Sequence, residues 1–446
     1  MKKNVLSVAT VFTLITSSVS AIELYQDANG QVFTSAGQGR TLISGEIKGI
    51  TPETPSNGIT IMRDDSPEFL LGKETHINMK FVPQDNPDMW LKAGVRIQGT
   101  FENRATSYAD GSPSESISEA YLRRVRFEVA AGFNKWTSFV MDVRNDKANY
   151  EDKGEEQFNV GDAYVQIKKP FKTSLVNFKL FRAKIDVSRT ETVKSARTIH
   201  YDRPQVADEA AQYITHNRRG TNAQVYGDWE KKIHYQLAFG DGVNSGKMKD
   251  ATGASLADSA TQKTFFYGGK VKLSPFDGWE ETEVTETYFG QGQHFSLGAS
   301  YWVSPEISYE NGTQNTTIDH TLMNLELSAH YKGLFVQAEY FDFGGVVKDA
   351  STVAVETGHS QGWYATSEYV IEELAFIAPY VRYESWNKFE GQDGYDFTSA
   401  IAGVNWYLKG NTIKAGLTFQ QDKYGSALKD GERTQENIKV TSQFFF

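Results

Sequence analysis

The sequence predicts an all-β protein: a transmembrane antiparallel β-barrel of about 16 strands, with long loops on one side of the membrane and short turns on the other. Three observations predict it. The chain ends on an alternating segment, with Ile438, Val440, Ser442, Phe444 and Phe446 on one side of an extended strand and Lys439, Thr441, Gln443 and Phe445 on the other. After the amino terminus no run approaches the roughly 18 apolar residues that a helical span needs, and the mean hydropathy of −0.48 is that of a polar protein. From Trp90 onward the two-residue rhythm recurs in segments of about 9–14 residues, long enough to cross an apolar slab when tilted. Only helices and closed barrels satisfy every backbone donor and acceptor inside lipid, so a membrane protein of this kind crosses as strands. The bland alternative is a soluble sandwich that happens to end in phenylalanine.

The elements follow in order. Lys2 and Lys3, the apolar stretch Val5 to Val19 and the small residues Ser20-Ala21 read as a signal peptide over residues 1–21. Residues 22–89 read as an N-terminal extension, punctuated by Asp27-Ala28-Asn29-Gly30 and by proline-bearing stretches at 51–56 and 82–88, with one strand expected near 76–81. The barrel is expected over residues 90–446, in strands near 90–101, 118–131, 134–146, 157–168, 174–183, 218–228, 232–241, 262–274, 292–303, 319–331, 333–342, 361–369, 376–388, 396–408, 411–421 and 434–446. Their connections alternate between long and short, as extracellular loops and periplasmic turns do. The exception is Pro275 to Gln291, long where a short turn is due, which reads either as a small periplasmic excursion or as a shifted strand register.

Composition narrows the function. A formal net charge of −10 argues against a nucleic-acid partner. Having no cysteine, the chain has no disulfides, thiol nucleophiles or cysteine-ligated metals. The eight histidines are scattered, without His-Glu-x-x-His, Gly-x-Ser-x-Gly or phosphate-loop spacing, so neither an enzyme nor a cofactor is expected. The acidic group Glu151, Asp152, Glu155 and Glu156 has the chemistry for a divalent cation, but a charged loop is more often simply solvated.

Strand parity sorts the charges. Leu91, Ala93, Val95, Ile97 and Phe101, then Tyr121, Val125, Phe127 and Val129, are expected to face lipid, with Arg123 near an interface and Trp90, Trp136, Trp302, Trp363 and Trp406 in aromatic girdles. Inside, the first eight strands place Lys92, Arg96, Arg124, Arg126, Arg144, Lys168, Lys179, Arg218, Lys270 and Lys272 against Glu128, Asp142 and Asp162. The last eight place Arg382, Lys414 and Lys439 against Glu326, Glu339, Glu368 and Glu384. One half of the wall is basic and the other acidic, which implies a transverse field across the lumen. The connection 184–217 is too long for a plain hairpin loop, and it carries Lys184, Arg189, Lys194, Arg197, His200 and Arg203 among acids. Folded inward it would constrict the lumen, where a lower dielectric strengthens each charge. Lys184, Arg189 and Arg197 therefore join the basic wall as candidate anion-binding, pore-lining residues, since cations along a water-filled path select permeant ions by sign.

Several stretches also resemble a known family, the phosphate-selective porins of the porin O and porin P type. They include Leu91-Lys92-Ala93-Gly94-Val95-Arg96-Ile97-Gln98, Ala120 to Glu128, Asp162-Ala163-Tyr164-Val165-Gln166, Arg219 to Gly227, Tyr235 to Gly242 and Gly403-Val404-Asn405-Trp406-Tyr407-Leu408. The similarity runs from Trp90 to Phe446 in one order; in Phe181-Arg182-Ala183-Lys184 only the lysine keeps the family's pattern. The resemblance implies a sixteen-stranded, homotrimeric channel of the Gram-negative outer membrane that passes small anions such as phosphate by passive diffusion. Its partners would be outer-membrane lipid, lipopolysaccharide and the barrel-assembly machinery, engaged through the strand ending in Phe446. A general, weakly selective porin is the nearest alternative; a plugged surface-binding barrel or an outer-membrane enzyme stands further off.

Overall fold

The computed structural model describes residues 25–27, 32–33, 40–42, 59–62, 79–83, 86–148, 158–215, 218–241, 259–262, 264–281, 283–290, 292–311, 314–350, 359–428 and 430–445. The signal segment, the acidic group at Glu151 and Phe446 lie outside these residues. The chain divides into two compact units, residues 1–53 and 54–446. In the first, Tyr25–Asp27 pairs antiparallel with both Val32–Phe33 and Arg40–Leu42.

The second unit is a closed barrel of sixteen antiparallel wall strands. They are β1 (Trp90–Tyr108), β2 (Glu115–Gly132), β3 (Thr137–Ala148), β4 (Asn159–Ile167), β5 (Asn177–Lys184), β6 (Arg219–Trp229), β7 (Ile233–Gly240) and β8 (Phe266–Leu273). There follow β9 (Gln293–Asn311), β10 (Gln314–Tyr331), β11 (Leu334–Ala350), β12 (Ser360–Tyr369), β13 (Ile377–Asn387), β14 (Asp396–Asn411), β15 (Ile413–Tyr424) and β16 (Arg433–Phe445). Closure is made by β16 on β1, from Arg433 opposite Tyr108 down to Phe445 opposite Arg96. Below that, Met79–Pro83, itself hairpinned to Ile59–Met62, pairs with Leu91 to Ala93 and extends the same edge of β1. Part of the stretch read as an extension thus belongs to the wall sheet.

The alternation works as barrel physics requires. Leu180, Leu237, Phe239, Tyr301, Leu417, Ile438 and Phe444 are exposed on the outer face, while Gln98, Arg96, Lys414, Lys439 and Gln443 are buried on the inner one. A bulge corrects one stretch: Gln98 faces Arg124 but Gly99 faces Leu122, so Arg123 is the extra residue. The parity flips there. Tyr121 turns inward to donate to Glu102 at 3.0 Å, Leu122 takes the lipid side, and Arg123 reaches Asp202 in the lumen rather than an interface.

Wall height is uneven. β9 and β1 have 19 residues each against 8 in β5, β7 and β8. At roughly 3.3 Å per residue the long strands run far past the ~30 Å hydrocarbon layer. The expected loop between β9 and β10 is instead strand, paired as far as Asn311 opposite Gln314. Inside the tall side, apolar and mostly aromatic residues replace charges: Phe266, Trp302, Leu322, Phe341, Phe343, Tyr364, Trp386 and Phe397 form one buried cluster with Val206, Ala207, Ala210 and Ala211. Trp302, expected in a girdle, lies buried there, stacked on Phe266 at 5.4 Å.

A charge placed on the outer face should be costly because lipid cannot solvate it. Leu237→Arg is expected to lower stability by about 2–4 kcal/mol if the site lies near the bilayer midplane, measured by urea titration of folding in lipid vesicles.

Candidate functional site

Between β5 and β6 the chain turns into the lumen and crosses it, forming α1 (Arg189–Thr192) and α2 (Gln205–Ile214). A segment buried this way cannot leave its backbone polar groups unpaired, and the wall supplies the partners. Carbonyl oxygens accept from Gln98 at Ser195 (3.1 Å), Gln443 at Ala196 (2.9 Å), Lys414 at Thr198 (2.6 Å), Asn405 at Ile199 (3.1 Å) and Arg124 at Tyr201 (3.0 Å). Arg382 donates to Asp202 (2.8 Å), Gln236 to Asp186 (2.7 Å) and Ser300 to Val187 (2.6 Å). Side chains from much of the barrel's circumference therefore hold one loop.

The acids of the second half-barrel take the loop's N–H groups. Glu339 accepts from the backbone of Arg189 (3.2 Å) and Thr190 (2.8 Å) at the start of α1, and Glu384 accepts from Val206 (2.6 Å) at the start of α2. The N-cap of α2 is Pro204, which has no side-chain acceptor, so Glu384 fills that role from the adjoining wall. The long connection before β9 also folds inward: Glu281 binds Arg189 at 2.5 Å and Lys272 at 2.6 Å, Glu283 pairs with Arg197, and Glu286 accepts from Ile199 N–H at 2.7 Å. It is a luminal segment rather than a periplasmic excursion.

With the loop seated against the tall, acidic side, open space remains against the basic side. Three cavities lie in series from the long-loop side to the short-turn side. The first, of about 170 Å³, and the second, of about 230 Å³, share Arg203; the second and third, of about 210 Å³, share Thr192. The middle one is lined by the cations Arg96, Arg126, Lys179, Lys184, Lys194, Arg203 and Arg219 and by the carboxylates Glu128, Asp142, Asp162, Asp186 and Glu191.

Most of these cations are engaged. Arg96 pairs with Glu128, Arg126 with Asp146 at 2.8 Å, Arg219 with Asp162 at 2.8 Å, and Lys184 with Glu191 at 3.3 Å. Burial alone would raise the Glu191 carboxyl, but Arg218, Lys184 and Arg203 more than offset it and hold it well below the usual carboxylate range. Asp202 behaves alike: burial is overcome by Lys439 and Arg123. Lys179 and Lys194 make no ion pair among the described residues; Lys179 lies over the Tyr164 and Phe181 rings, and Lys194 is exposed into the cavity.

The sequence-predicted set divides accordingly. Arg96, Arg126, Lys179 and Lys184 meet in the middle cavity, and Arg189, Lys270 and Lys272 meet in the third. Arg124 binds the loop backbone and Gln98, so it is a support. Arg218 lies outside β6 at positive φ and clasps Glu191 and Asp208, anchoring the loop rather than lining a wall. Arg197, in the loop itself, is buried and pairs with Glu283, Arg144 is half-buried 4.0 Å from Asp146, and Lys92 sits near Trp90 at the foot of β1. Lys168 is past the end of β4, exposed in a short connection, and so lies outside the luminal set. Parity missed Arg219, which swings inward from the first position of β6, and it gave no role to Lys194 and Arg203, whose placement depends on the loop's path.

The sequence profile of the family described as phosphate-selective porin O and P matches residues 91–437. Comparison with curated proteins returns no match. Among solved structures, the fold is similar to the anion-selective porin from Comamonas acidovorans, with a TM-score of 0.56 at 10% identity over 80% of this chain and 100% of that one. It is also similar to the outer membrane channel DcaP of Acinetobacter baumannii, with a TM-score of 0.52 at 9% identity over 82% and 99%. At these identities the likeness concerns the fold alone.

Two tests address the loop. Glu384→Gln weakens the acceptor at the head of α2 and should cost about 1–3 kcal/mol of local stability, seen as faster proteolysis within 184–217. Burial, then Arg382, pushes the His200 imidazole down to about 3. The unfolded ring titrates near ~6.5, so its contribution is intact above that pH and is lost as pH falls toward the folded value, since only the unfolded loop takes the proton. Protease protection of the loop should therefore decline between pH 7 and 5 in the native protein, and decline less in His200→Asn.

Proposed function

Since the chain belongs to the phosphate-selective porin O and P family, we propose that this outer-membrane porin passes small hydrophilic anions, phosphate among them, by passive diffusion along the basic side of its lumen. The middle cavity carries the reading. Seven cationic side chains line it against five carboxylates, and two of the cations, Lys179 and Lys194, have no carboxylate within ion-pair distance among the described residues. An anion entering there meets ammonium groups free to pair with it, and in the confined space each counts for more than in bulk water. Arg96 and Arg219 flank them with guanidinium forks already oriented by Glu128 and Asp162, suited to handing on an oxyanion.

A general porin of weak selectivity is the second reading. It is favoured by the pairing of Arg96, Arg126, Lys184 and Arg219, and by Asp142 and Asp186, carboxylates of the same lining that stand against the two lysines. The same proposal has the chain exported by residues 1–21, inserted by the barrel-assembly machinery through its last strand, surrounded by lipid and lipopolysaccharide, and assembled as a homotrimer; cross-linking in outer-membrane vesicles tests the last point.

Reversal potentials in planar bilayers under a chloride gradient decide between the readings. The anion channel should be anion-selective, and phosphate should reduce its chloride conductance. Lys179→Glu with Lys194→Glu is expected to shift the reversal potential toward cation selectivity; a cation-selective native channel overturns the proposal.

A further inference from the structure

The third cavity, on the short-turn side of the loop, already contains the geometry of a bound anion. Arg189 donates from Nε to Gln337 (3.0 Å) and from Nη2 to the Thr285 carbonyl (2.6 Å), which leaves Nη1 directed at Glu281, 2.5 Å away. Lys272 holds the other carboxylate oxygen at 2.6 Å, and the Tyr288 hydroxyl donates to the first at 2.7 Å. The Glu281 side chain is fully buried. Lys270 and Glu326 pair at 2.7 Å on the same wall. The Tyr226 hydroxyl and His234 Nε2, both on residues lining the cavity, lack hydrogen-bond partners among the described residues.

Glu281 reaches this seat only because the connection before β9 is long and folds inward, where neighbouring connections on that side are short turns such as 230–232 and 332–333. We propose that Glu281 is a resident counter-anion: it occupies a second oxyanion site built by Arg189, Lys272 and Tyr288, and so determines how tightly the exit half of the channel holds a permeant anion. The inference rests on the anion-channel reading above. With its seat filled, the exit half offers an arriving phosphate-like anion only exchange for Glu281, so the anion leaves readily after the middle cavity has bound it. Conduction needs both attraction on entry and release at exit. Burial would raise the Glu281 carboxyl, but Arg189, Lys272 and His294 more than offset this and hold it well below its ordinary range, so it stays charged at neutral pH.

The test uses the full-length channel in planar bilayers, with inorganic phosphate as the probe. Glu281→Gln keeps the side chain's shape but removes the charge, and should make the channel more anion-selective. The phosphate concentration that halves chloride conductance should fall roughly ten- to hundredfold, the size of a charge-assisted hydrogen bond. Lys272→Gln removes a cation while leaving Glu281 in place, and should shift both readings the opposite way. If the connection is only a structural strut, the two variants move together or leave phosphate block unchanged, and the inference is overturned. A native channel that prefers cations or ignores phosphate defeats the anion reading itself, a result distinct from an anion-selective native channel whose Glu281→Gln variant is unaltered.

Discussion

The architecture depends on one requirement: a peptide segment drawn across the inside of a barrel needs a partner for its backbone groups. Gln98, Gln236, Asn405, Lys414 and Gln443 meet the carbonyls, and Glu339 and Glu384 meet the N–H groups at the helix starts. Each such bond contributes modestly, about 1 kcal/mol net, whereas a lost partner leaves a buried group costing as much or more. The loop is therefore seated in one position. Where it lies decides where open space is left.

That seating reassigns the charges. The half-barrel rich in glutamate is acidic because it caps helices and receives the loop, with Glu326 reserved for Lys270. The half rich in arginine and lysine lines the cavities, and nearly every guanidinium there is oriented by a carboxylate. Pairing fixes side-chain positions and reduces net charge together, and the ammonium groups of Lys179 and Lys194 share their lining with the carboxylates of Asp142 and Asp186. The field across the lumen is thus divided into short-range pairs. A chain with a net charge of −10 can still present a basic passage.

Strand number, order and sidedness were legible in the sequence because lipid imposes a strict two-residue rule on any wall strand that crosses it. All sixteen wall strands fall where alternation placed them, from Trp90 to the last strand. Beyond the lipid slab the rule lapses, so the upper parts of β9, β10 and β11 look like polar loops though they are strands. The bulge at Arg123 was hidden because one extra residue leaves no mark in composition, yet it reverses the parity of Tyr121. Of the site, Arg96, Arg126 and Lys179 were legible from parity, since they sit in regular strand. Arg218, Arg219 and Glu281 were not: their positions follow from how the inserted segments fold against the wall. Aromatic residues facing inward on the tall side were equally opaque, because the apolar partner they meet, α2, comes from a distant stretch of chain.

The loop's anchors also impose an order on assembly. Its carbonyls are held by Gln98 in the first wall strand and by Gln443 in the last, residues 345 positions apart that meet only when the cylinder shuts. Until then the crossing segment has half its partners missing, and contacts so distant in sequence form late. A barrel not yet closed would carry the strap without these two anchors, whereas a closed one has both in place. The hold on the strap is thus tied to closure of the seam between the first and last wall strands.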